Sequence, residues 1–151
     1  MEVLGLNPAA GFGGIYQDKR VLVTGHTGFK GSWLCIWLRM LGAEVTGFAL
    51  PPATDEDNFV LCGLKDKLKH IEGDIRDAGA LQAAFDRCRP QVVFHLAAQP
   101  IVRLSYAEPL ETLQTNVIGT ANLLESLRKA PGPAAAVLIA SDKCYENREQ
   151  L

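Results

Sequence analysis

The sequence predicts a doubly wound α/β fold with a parallel sheet of about five strands, for three reasons. Strand-like apolar segments alternate with helical patterns four times along the chain. The strand-like segments, such as "RVLVT" at residues 20–24, are continuous apolar runs, which is typical of parallel strands covered by helices on both faces. The length of 151 residues, with 48% hydrophobic and 21% charged residues, is that of one globular domain with a sizeable core.

The apolar runs and the segments between them predict where the strands lie along the chain. Residues 1–18 are rich in glycine, alanine and proline, and we expect them to form a flexible leader before a domain at residues 19–151. The five strands are expected at residues 20–24, 44–50, 69–74, 91–98 and 135–141.

Three helices are predicted between these strands, each with a recognisable boundary. The first covers residues 29–42 and ends at Gly42, because glycine readily adopts the left-handed conformation at a helix end. The second covers residues 77–88, with Asp77 as its N-cap. The third covers residues 109–129, begins with a proline that suits the first turn, and is closed by "PGP".

Charge and cysteine content argue against several classes of function. Fifteen basic and 17 acidic side chains give a net charge of −2, and no cluster of lysine or arginine indicates a nucleic-acid partner. The four cysteines are scattered without metal-ligand spacing, so we predict no metal site and expect reduced thiols in a cytoplasmic protein. The N-terminus lacks the pattern of a signal peptide, and the apolar run at residues 31–38 is too short to span a bilayer, so no membrane association is expected.

The segment "VTGHTGFKG" places three glycines between the first strand and the first helix. A helix N-terminus offers unpaired N–H groups and the positive end of the helix dipole to a phosphate, provided that side chains leave room for its approach. We therefore expect Gly25 to form the turn, Gly28 to face the phosphates and Gly31 to pack helix against strand, as in a Rossmann-type dinucleotide site. The alternative interpretation is that these are turn glycines without a ligand.

The spacing T-G-x-x-G-x-x-G resembles that of the extended branch of the short-chain dehydrogenase/reductase superfamily, whose members act on nucleotide sugars. Three further stretches are similar to motifs of that branch and follow in the same order: "EGDIRD" at residues 72–77, "FHLAAQ" at 94–99 and "TNVIGTANLLE" at 115–125. The resemblance implies a Rossmann-type sheet with a cofactor site. The cofactor-binding residues that it implies are Gly25, Thr27, Gly28, Phe29, Lys30, Gly31, Asp74, Ile75, Leu96, Ala97, Ala98, Gln99 and Thr115.

Within this branch, "VTGHTGFKGSWL", "AAQPIVRLSY" and "SDKCYEN" are similar to the CDP-glucose 4,6-dehydratase family, and the resemblance covers residues 16–149. It implies NAD as the cofactor, CDP-glucose as the substrate, and homodimers as the assembly of full-length members. In such enzymes NAD takes a hydride from C4 of the sugar, water leaves across C5 and C6, and the hydride returns at C6.

The resemblance also implies a catalytic triplet, Ser141, Asp142 and Lys143, at the end of the fifth strand. Ser141 would hydrogen-bond the C4 oxygen, and Asp142 would be the acid that protonates the departing 6-hydroxyl. Lys143 stands where related dehydratases carry a glutamate base, so it would act with a lowered pKa or in a different role. The alternative for Asp142 and Lys143 is a solvated turn. Arg103 and Tyr106 either face the sugar nucleotide or pack at a helix start.

Two departures from the family pattern matter. Ala49 stands where NAD enzymes of this fold usually carry an acid for the ribose 2′-hydroxyl, and no arginine is in place for a 2′-phosphate. No tyrosine is followed four residues later by a lysine, although the family uses a Tyr-x-x-x-Lys pair on the helix after the fifth strand. We therefore expect an N-terminal part of a dehydratase, with a sheet incomplete on its C-terminal side, no substrate lobe and no activity of its own. The alternatives are another nucleotide-sugar dehydratase or epimerase, or a non-catalytic NAD-binding module.

A few other side chains have two interpretations each. His95 lies in an apolar strand and is expected to be a satisfied core histidine, whereas His26 is a candidate ligand. Lys30 either reaches the cofactor phosphates or is solvated. Trp33 and Trp37 lie four residues apart on one helix face and are predicted to belong to the core.

Overall fold

The computed structural model describes residues 8–132, 135–141 and 146, with the backbone alone for residues 8–10. Five strands form one sheet in the order β3-β2-β1-β4-β5, and every neighbouring pair is parallel. The strands are β1 Arg20–Thr24, β2 Glu44–Ala49, β3 Lys69–Glu72, β4 Val92–His95 and β5 Ala135–Leu138. The predicted parallel sheet of about five strands is therefore confirmed.

Helices cover both faces of this sheet. They are α1 Phe29–Met40, α2 Asn58–Leu61, α3 Ala78–Cys88, α4 Val102–Ala107, α5 Pro109–Leu113 and α6 Gly119–Lys129, with 3₁₀ turns at Pro8–Gly14 and Leu64–Asp66. A π-helical turn, Gln114–Ile118, joins α5 to α6, so the long helix expected at residues 109–129 is confirmed. The short helices α2 and α4 are not part of the sequence-based prediction. Among the described residues, no helix has the length and apolar character needed to cross a membrane.

Side chains alternate along β1 between two hydrophobic cores. Leu22 packs in a cluster with Phe85 of α3 and Leu123 of α6. Val23 points to the opposite face of the sheet and belongs to a cluster with Leu38 of α1. A strand that contributes to a core on each face needs apolar residues at consecutive positions, which explains the run "RVLVT".

The outer face of α1 shows that the prediction for the two tryptophans is wrong. Trp33 and Trp37 are each 52% exposed. The buried positions of α1 include the small residues Gly31, Ser32 and Cys35 instead. Small residues allow the helix to approach the sheet closely, so the buried face follows them and the bulky aromatic rings lie on the outside.

The described part of the expected leader lies against the domain. The ring of Phe12 is 5.5 Å from that of Trp37, and the ring of Tyr16 is 6.5 Å from that of Phe94 in β4, measured between centroids. These contacts attach the segment to α1 and to the same face of the sheet. The boundary between leader and domain stays a prediction.

Candidate functional site

The described residues of the candidate site lie at one edge of the sheet, where the parallel strands end. The glycine turn at residues 25–31 follows β1, the loop at residues 74–77 follows β3, and the loop at residues 96–99 follows β4. The strand order reverses between β1 and β4, and the glycine turn and the 96–99 loop lie on either side of that point. Open α/β sheets bind ligands at the carboxyl ends of the strands beside such a reversal.

The three glycines of the turn differ in whether the packing around them leaves room for a side chain. Gly25 has φ +71°, and a Cβ there would lie 2.6 Å from the Ala97 nitrogen. A Cβ at Gly31 would collide with the backbone of Gly25 and would lie 2.8 Å from the His26 Cα. The fold therefore requires glycine at both positions.

Gly28 is different, because the fold around it has room for a side chain. Its φ is −71°, and a Cβ there would meet only the Gly25 oxygen among the described atoms, at 3.4 Å, an ordinary contact. Gly28 is also the N-cap of α1 and is exposed, with no side-chain hydrogen bond to the first helical turn. An open surface with helical N–H groups is what an anionic ligand needs in order to approach the backbone.

Three predicted site residues next to Gly28 have distinct environments. The Thr27 hydroxyl donates to the carbonyl of Leu50 at 3.0 Å, so this buried side chain braces the turn against the end of β2. Phe29 is 74% exposed, and Lys30 is exposed on the same first turn of α1. The exposure of Lys30 is compatible with both interpretations: its side chain either is solvated or contacts a bound phosphate.

His26 is fully buried beneath the turn and pairs with a second histidine, which the sequence did not predict. Its Nε2 lies 2.7 Å from Nδ1 of His70, and its ring packs edge-on to Phe59 of α2, with centroids 5.2 Å apart. The ring lies over Gly47 of β2, where any Cβ would collide with it. His26 Nδ1 has no hydrogen-bond partner with good geometry in the described part of the chain.

The surroundings of His26 favour its neutral form. The pKa of His26 is lowered from 6.5 to about 4, mainly by burial and also by the neighbouring ring of His70, while the Phe48 backbone partly opposes the shift. Burial likewise lowers the pKa of His70, and Lys65 adds to that effect. A neutral pair can share one proton across its short contact, and a second proton would be repelled.

His95 is a satisfied core histidine, as predicted. Its Nδ1 lies 2.7 Å from the Thr24 hydroxyl of β1, and its Nε2 lies 3.1 Å from the Thr120 hydroxyl of α6. Burial lowers the pKa of His95, so the ring is neutral and donates to only one of the two hydroxyls. The chain of contacts ties β1, β4 and α6 together directly beneath the 96–99 loop.

Asn116 holds the 96–99 loop in place, a role that no local sequence signal indicates. Its amide oxygen accepts from the Gln99 N–H at 2.7 Å, and its Nδ2 donates to the Gln99 carbonyl at 3.0 Å. The Gln99 side chain donates to the Thr112 hydroxyl at 3.0 Å. Thr115 is half-buried in the π-helical turn beside this clamp. Gln99 is thus oriented by protein contacts, and Leu96, Ala97 and Ala98 belong to the same loop.

The loop after β3 places a carboxylate at the surface and an apolar side chain inside. Asp74 is 25% exposed at its side chain, and Arg76 lowers the pKa of that carboxyl by hydrogen bonding. Ile75 is 4% exposed and belongs to the core, so only its backbone is available to a ligand. Ala49, at the end of β2, is 5% exposed and brings no hydrogen-bonding side chain to the site.

Of the predicted catalytic triplet, only Ser141 belongs to the described part of the chain. It is exposed and follows β5, two residues after Ile139, whose N–H donates to the His95 carbonyl at 3.0 Å. Asp142 and Lys143 lie outside the described residues. Within the described residues, no group of three or more His, Cys, Asp and Glu side chains could hold a metal ion.

The chain is similar in sequence to several enzymes named for nucleotide-sugar substrates. The sequence model of the family described as GDP-mannose 4,6 dehydratase matches residues 22–150. CDP-glucose 4,6-dehydratase of Salmonella typhimurium is 52% identical over 134 residues, which cover 89% of this chain and 37% of that protein. The chain spans well under half the length of the curated relatives that it matches.

Two solved structures show the same fold with a cofactor bound. UDP-glucose-4-epimerase from Stenotrophomonas maltophila, with bound NAD and formylated UDP-arabinopyranose, aligns with a TM-score of 0.73 at 27% identity, over 87% of this chain and 40% of that one. UDP-glucose 4-epimerase of Thermus thermophilus in complex with NAD aligns with a TM-score of 0.66 at 32% identity, over 74% of this chain and 34% of that one.

Proposed function

The chain belongs to the family described as GDP-mannose 4,6 dehydratase, and from that premise we propose that it is the NAD-binding part of a CDP-glucose 4,6-dehydratase. The proposed reaction converts CDP-D-glucose to CDP-4-dehydro-6-deoxy-D-glucose and water. The high identity to an enzyme of that name supports the choice of nucleotide, and the NAD bound to similar structures supports the choice of cofactor.

The observation that carries the proposal is Gly28. Two glycines of the turn are required by the packing of the chain itself, but the third is not. A residue type that the fold does not need, at an exposed helix N-cap, is explained by the close approach of a phosphate to the backbone. The uncapped N–H groups of α1 would then bind the pyrophosphate, with Lys30 beside it.

The remaining cofactor contacts are proposed from the loops at the same edge. The Asp74 carboxylate and the Ile75 backbone would bind adenine, and the 96–99 loop with Thr115 would line the nicotinamide side. NAD supplies a hydride acceptor that is restored within one turnover. The methyl group of Ala49 cannot hydrogen-bond a ribose hydroxyl as the usual carboxylate would, so we expect the affinity for NAD to be modest.

The catalytic roles proposed for residues 141–143 follow from the chemistry of the elimination. Ser141 would hydrogen-bond the C4 oxygen, and Asp142 would protonate the departing 6-hydroxyl. Lys143 occupies the position of the usual glutamate base, and an amine removes a proton only in its neutral form. Ser141 supports this assignment by following β5 at the edge to which the cofactor loops belong.

We also propose that the complete protein is a homodimer that pairs through α4, α5 and α6. Large apolar side chains on these helices are exposed, among them Val102, Tyr106, Leu110 and Leu113, whose exposed fractions are 70, 84, 73 and 55%. An apolar surface of this kind is typical of a protein–protein interface.

Calorimetric titration with NAD tests the binding site. The wild-type chain should bind one NAD. Gly28→Ala should weaken binding at least about tenfold without a loss of thermal stability, because the new Cβ would make only an ordinary contact within the protein but would obstruct a phosphate at the helix N-terminus. Gly31→Ala is the matched control, and its Cβ collides with the backbone, so it should cost about 3 kcal/mol of stability or more. Equal NAD affinity in wild type and Gly28→Ala would refute the assignment.

Substrate turnover tests the reaction. The complete product of the gene should convert CDP-glucose faster than UDP-glucose or dTDP-glucose. The 151-residue chain should bind NAD but not turn over CDP-glucose, because its sequence has no Tyr-x-x-x-Lys pair. A preference for UDP-glucose or dTDP-glucose would favour another nucleotide-sugar enzyme, and turnover by the 151-residue chain would contradict the need for that pair.

A further inference from the structure

Arg76 holds the carboxylate of Asp74 in one orientation. The backbone N–H of Arg76 donates to Oδ1 of Asp74 at 2.8 Å, and its Nε donates to Oδ2 at 2.8 Å, with Nη2 on the same oxygen. The guanidinium thus donates two hydrogen bonds to Oδ2, while the backbone N–H donates one hydrogen bond to Oδ1. Because these three contacts reach both carboxylate oxygens, together they fix the position and the plane of the carboxylate, which a single point charge does not.

The backbone of the loop is fixed independently of this pair. The Asn122 side chain of α6 donates to the carbonyls of Ile75 and Arg76, at 3.0 and 3.1 Å. Asp77 caps α3 by accepting from the N–H groups of Gly79 and Ala80. The loop would therefore keep its course if the Arg76 side chain were shortened, and only the carboxylate would lose its support.

This arrangement leaves only Oδ1 of Asp74 free to accept a further hydrogen bond. With Oδ2 filled by the guanidinium, Oδ1 keeps one lone pair, and the side chain is 25% exposed at the ligand-binding edge of the sheet. The same contacts keep the pKa of Asp74 below its usual value, so the group is ionised at neutral pH and cannot donate. An ionised acceptor favours an amino group and repels a carbonyl oxygen.

We propose that Arg76 is a positioning residue that orients Asp74 toward the 6-amino group of adenine and so makes the site selective for adenine dinucleotides over hypoxanthine dinucleotides. The inference rests on the proposed NAD site, since it presumes that adenine lies at this loop. Hypoxanthine carries an oxo group in place of the amino group, and that oxygen cannot donate to Asp74.

The second partner of Arg76 offers an internal control. Nη1 of Arg76 lies 3.5 Å from Oε1 of Glu111 in α5, an ion pair whose glutamate is 54% exposed. A pair this long and exposed contributes little. Glu111→Gln should therefore leave the selectivity unchanged, which separates the Asp74 contact from a general link between the loop and α5.

The test is a titration of the 151-residue chain with NAD and with nicotinamide hypoxanthine dinucleotide. The wild type should prefer NAD by roughly tenfold or more, the size expected for a hydrogen bond to a charged group. Arg76→Ala should reduce this ratio to about threefold or less, mainly through weaker NAD binding. Arg76→Lys, which keeps the charge but loses the fork, should fall between the two. Arg128→Ala removes an exposed arginine fork on Glu125, away from the loop, and should keep the wild-type ratio.

Each result bears on a different claim. If the wild type binds neither dinucleotide, the proposed function fails and this inference falls with it. If the wild type binds NAD and discriminates, but Arg76→Ala or Arg76→Lys keeps the full ratio, only the positioning role is overturned. A wild type that binds both dinucleotides equally, or a Glu111→Gln variant that loses selectivity, would also overturn that role. Thermal denaturation of each variant shows whether the fold is intact.

Discussion

β1 and β5 both pair with β4, yet their surroundings differ. In β1 all residues but Arg20 are buried, because β2 and β4 flank the strand and helices cover both of its faces. In β5 every residue is exposed, and within the described chain its strand partner is β4 alone. The loops proposed to bind NAD extend from the packed part of the sheet, whereas Ser141 follows the exposed strand. From this difference we expect the loops after β1 and β4 to be held firmly by the sheet, whereas Ser141 follows a strand that contributes little to the core.

Two leucines, one in β1 and one in β5, should differ most in the stability that is lost when each is replaced by alanine. Leu22 in β1 is fully buried and Leu138 in β5 is 36% exposed. Leu22→Ala should lower the free energy of unfolding by about 3–5 kcal/mol, because it leaves a cavity in a closed core. Leu138→Ala should lower it by less than about 1 kcal/mol. Urea denaturation followed by circular dichroism measures both, and equal losses would show that β5 is as well packed as β1.

The buried His26 should make the free energy of unfolding of the chain depend on pH in the acid range. The pKa of His26 is lowered from 6.5 to about 4 in the folded chain, so between these pH values the unfolded chain binds more protons. The free energy of unfolding therefore falls as the pH falls from 6.5 to 4, by about 3 kcal/mol from this group.

The variant His26→Asn isolates that contribution. Its free energy of unfolding should depend less on pH than that of the wild type over the same window, because asparagine does not titrate. The dependence that remains comes from the carboxylates and the other histidines. Denaturation curves at half-unit pH intervals give both profiles. Parallel profiles for wild type and variant would mean that His26 is not held neutral by the fold.

Removal of the N-cap of α3 should have a smaller effect on stability. Asp77 accepts from the N–H groups of Gly79 and Ala80, at 2.9 and 3.0 Å. Asp77→Ala should cost about 1 kcal/mol, and Asp77→Asn should keep most of the stability because asparagine caps nearly as well. Thermal denaturation measures both variants, and a loss as large for asparagine as for alanine would contradict the capping role.

Features that depend on short stretches of sequence were predictable. All five expected strands are present, four of them marked by apolar runs and the third by the short segment "KHIEGD" at residues 69–74, and the glycine spacing indicates the turn between β1 and α1. Asp77, an aspartate at the start of a helical pattern, is predicted as an N-cap and is one. In each case the physical cause lies within a few residues along the chain, so that the sequence pattern alone expresses it.

Features that depend on distant contacts were not predictable. His26 and His70 are 44 residues apart, and the clamp between Gln99 and Asn116 spans 17 residues. The exposure of Trp33 also depends on tertiary structure, because the close approach of α1 to the sheet decides which face is buried. The short helices α2 and α4 are too brief to show a helical period in the sequence.

The central claim is that the loops beside β1 bind NAD without a contribution from β5. Hydrogen exchange of the 151-residue chain with and without NAD tests it most directly, because the method reports on both strands in one experiment. NAD should slow amide exchange in three segments, residues 25–31, 74–77 and 96–99, and leave residues 135–141 unchanged. That pattern would show that the packed part of the sheet binds the dinucleotide by itself. Unchanged exchange at residues 25–31 under saturating NAD would contradict the account.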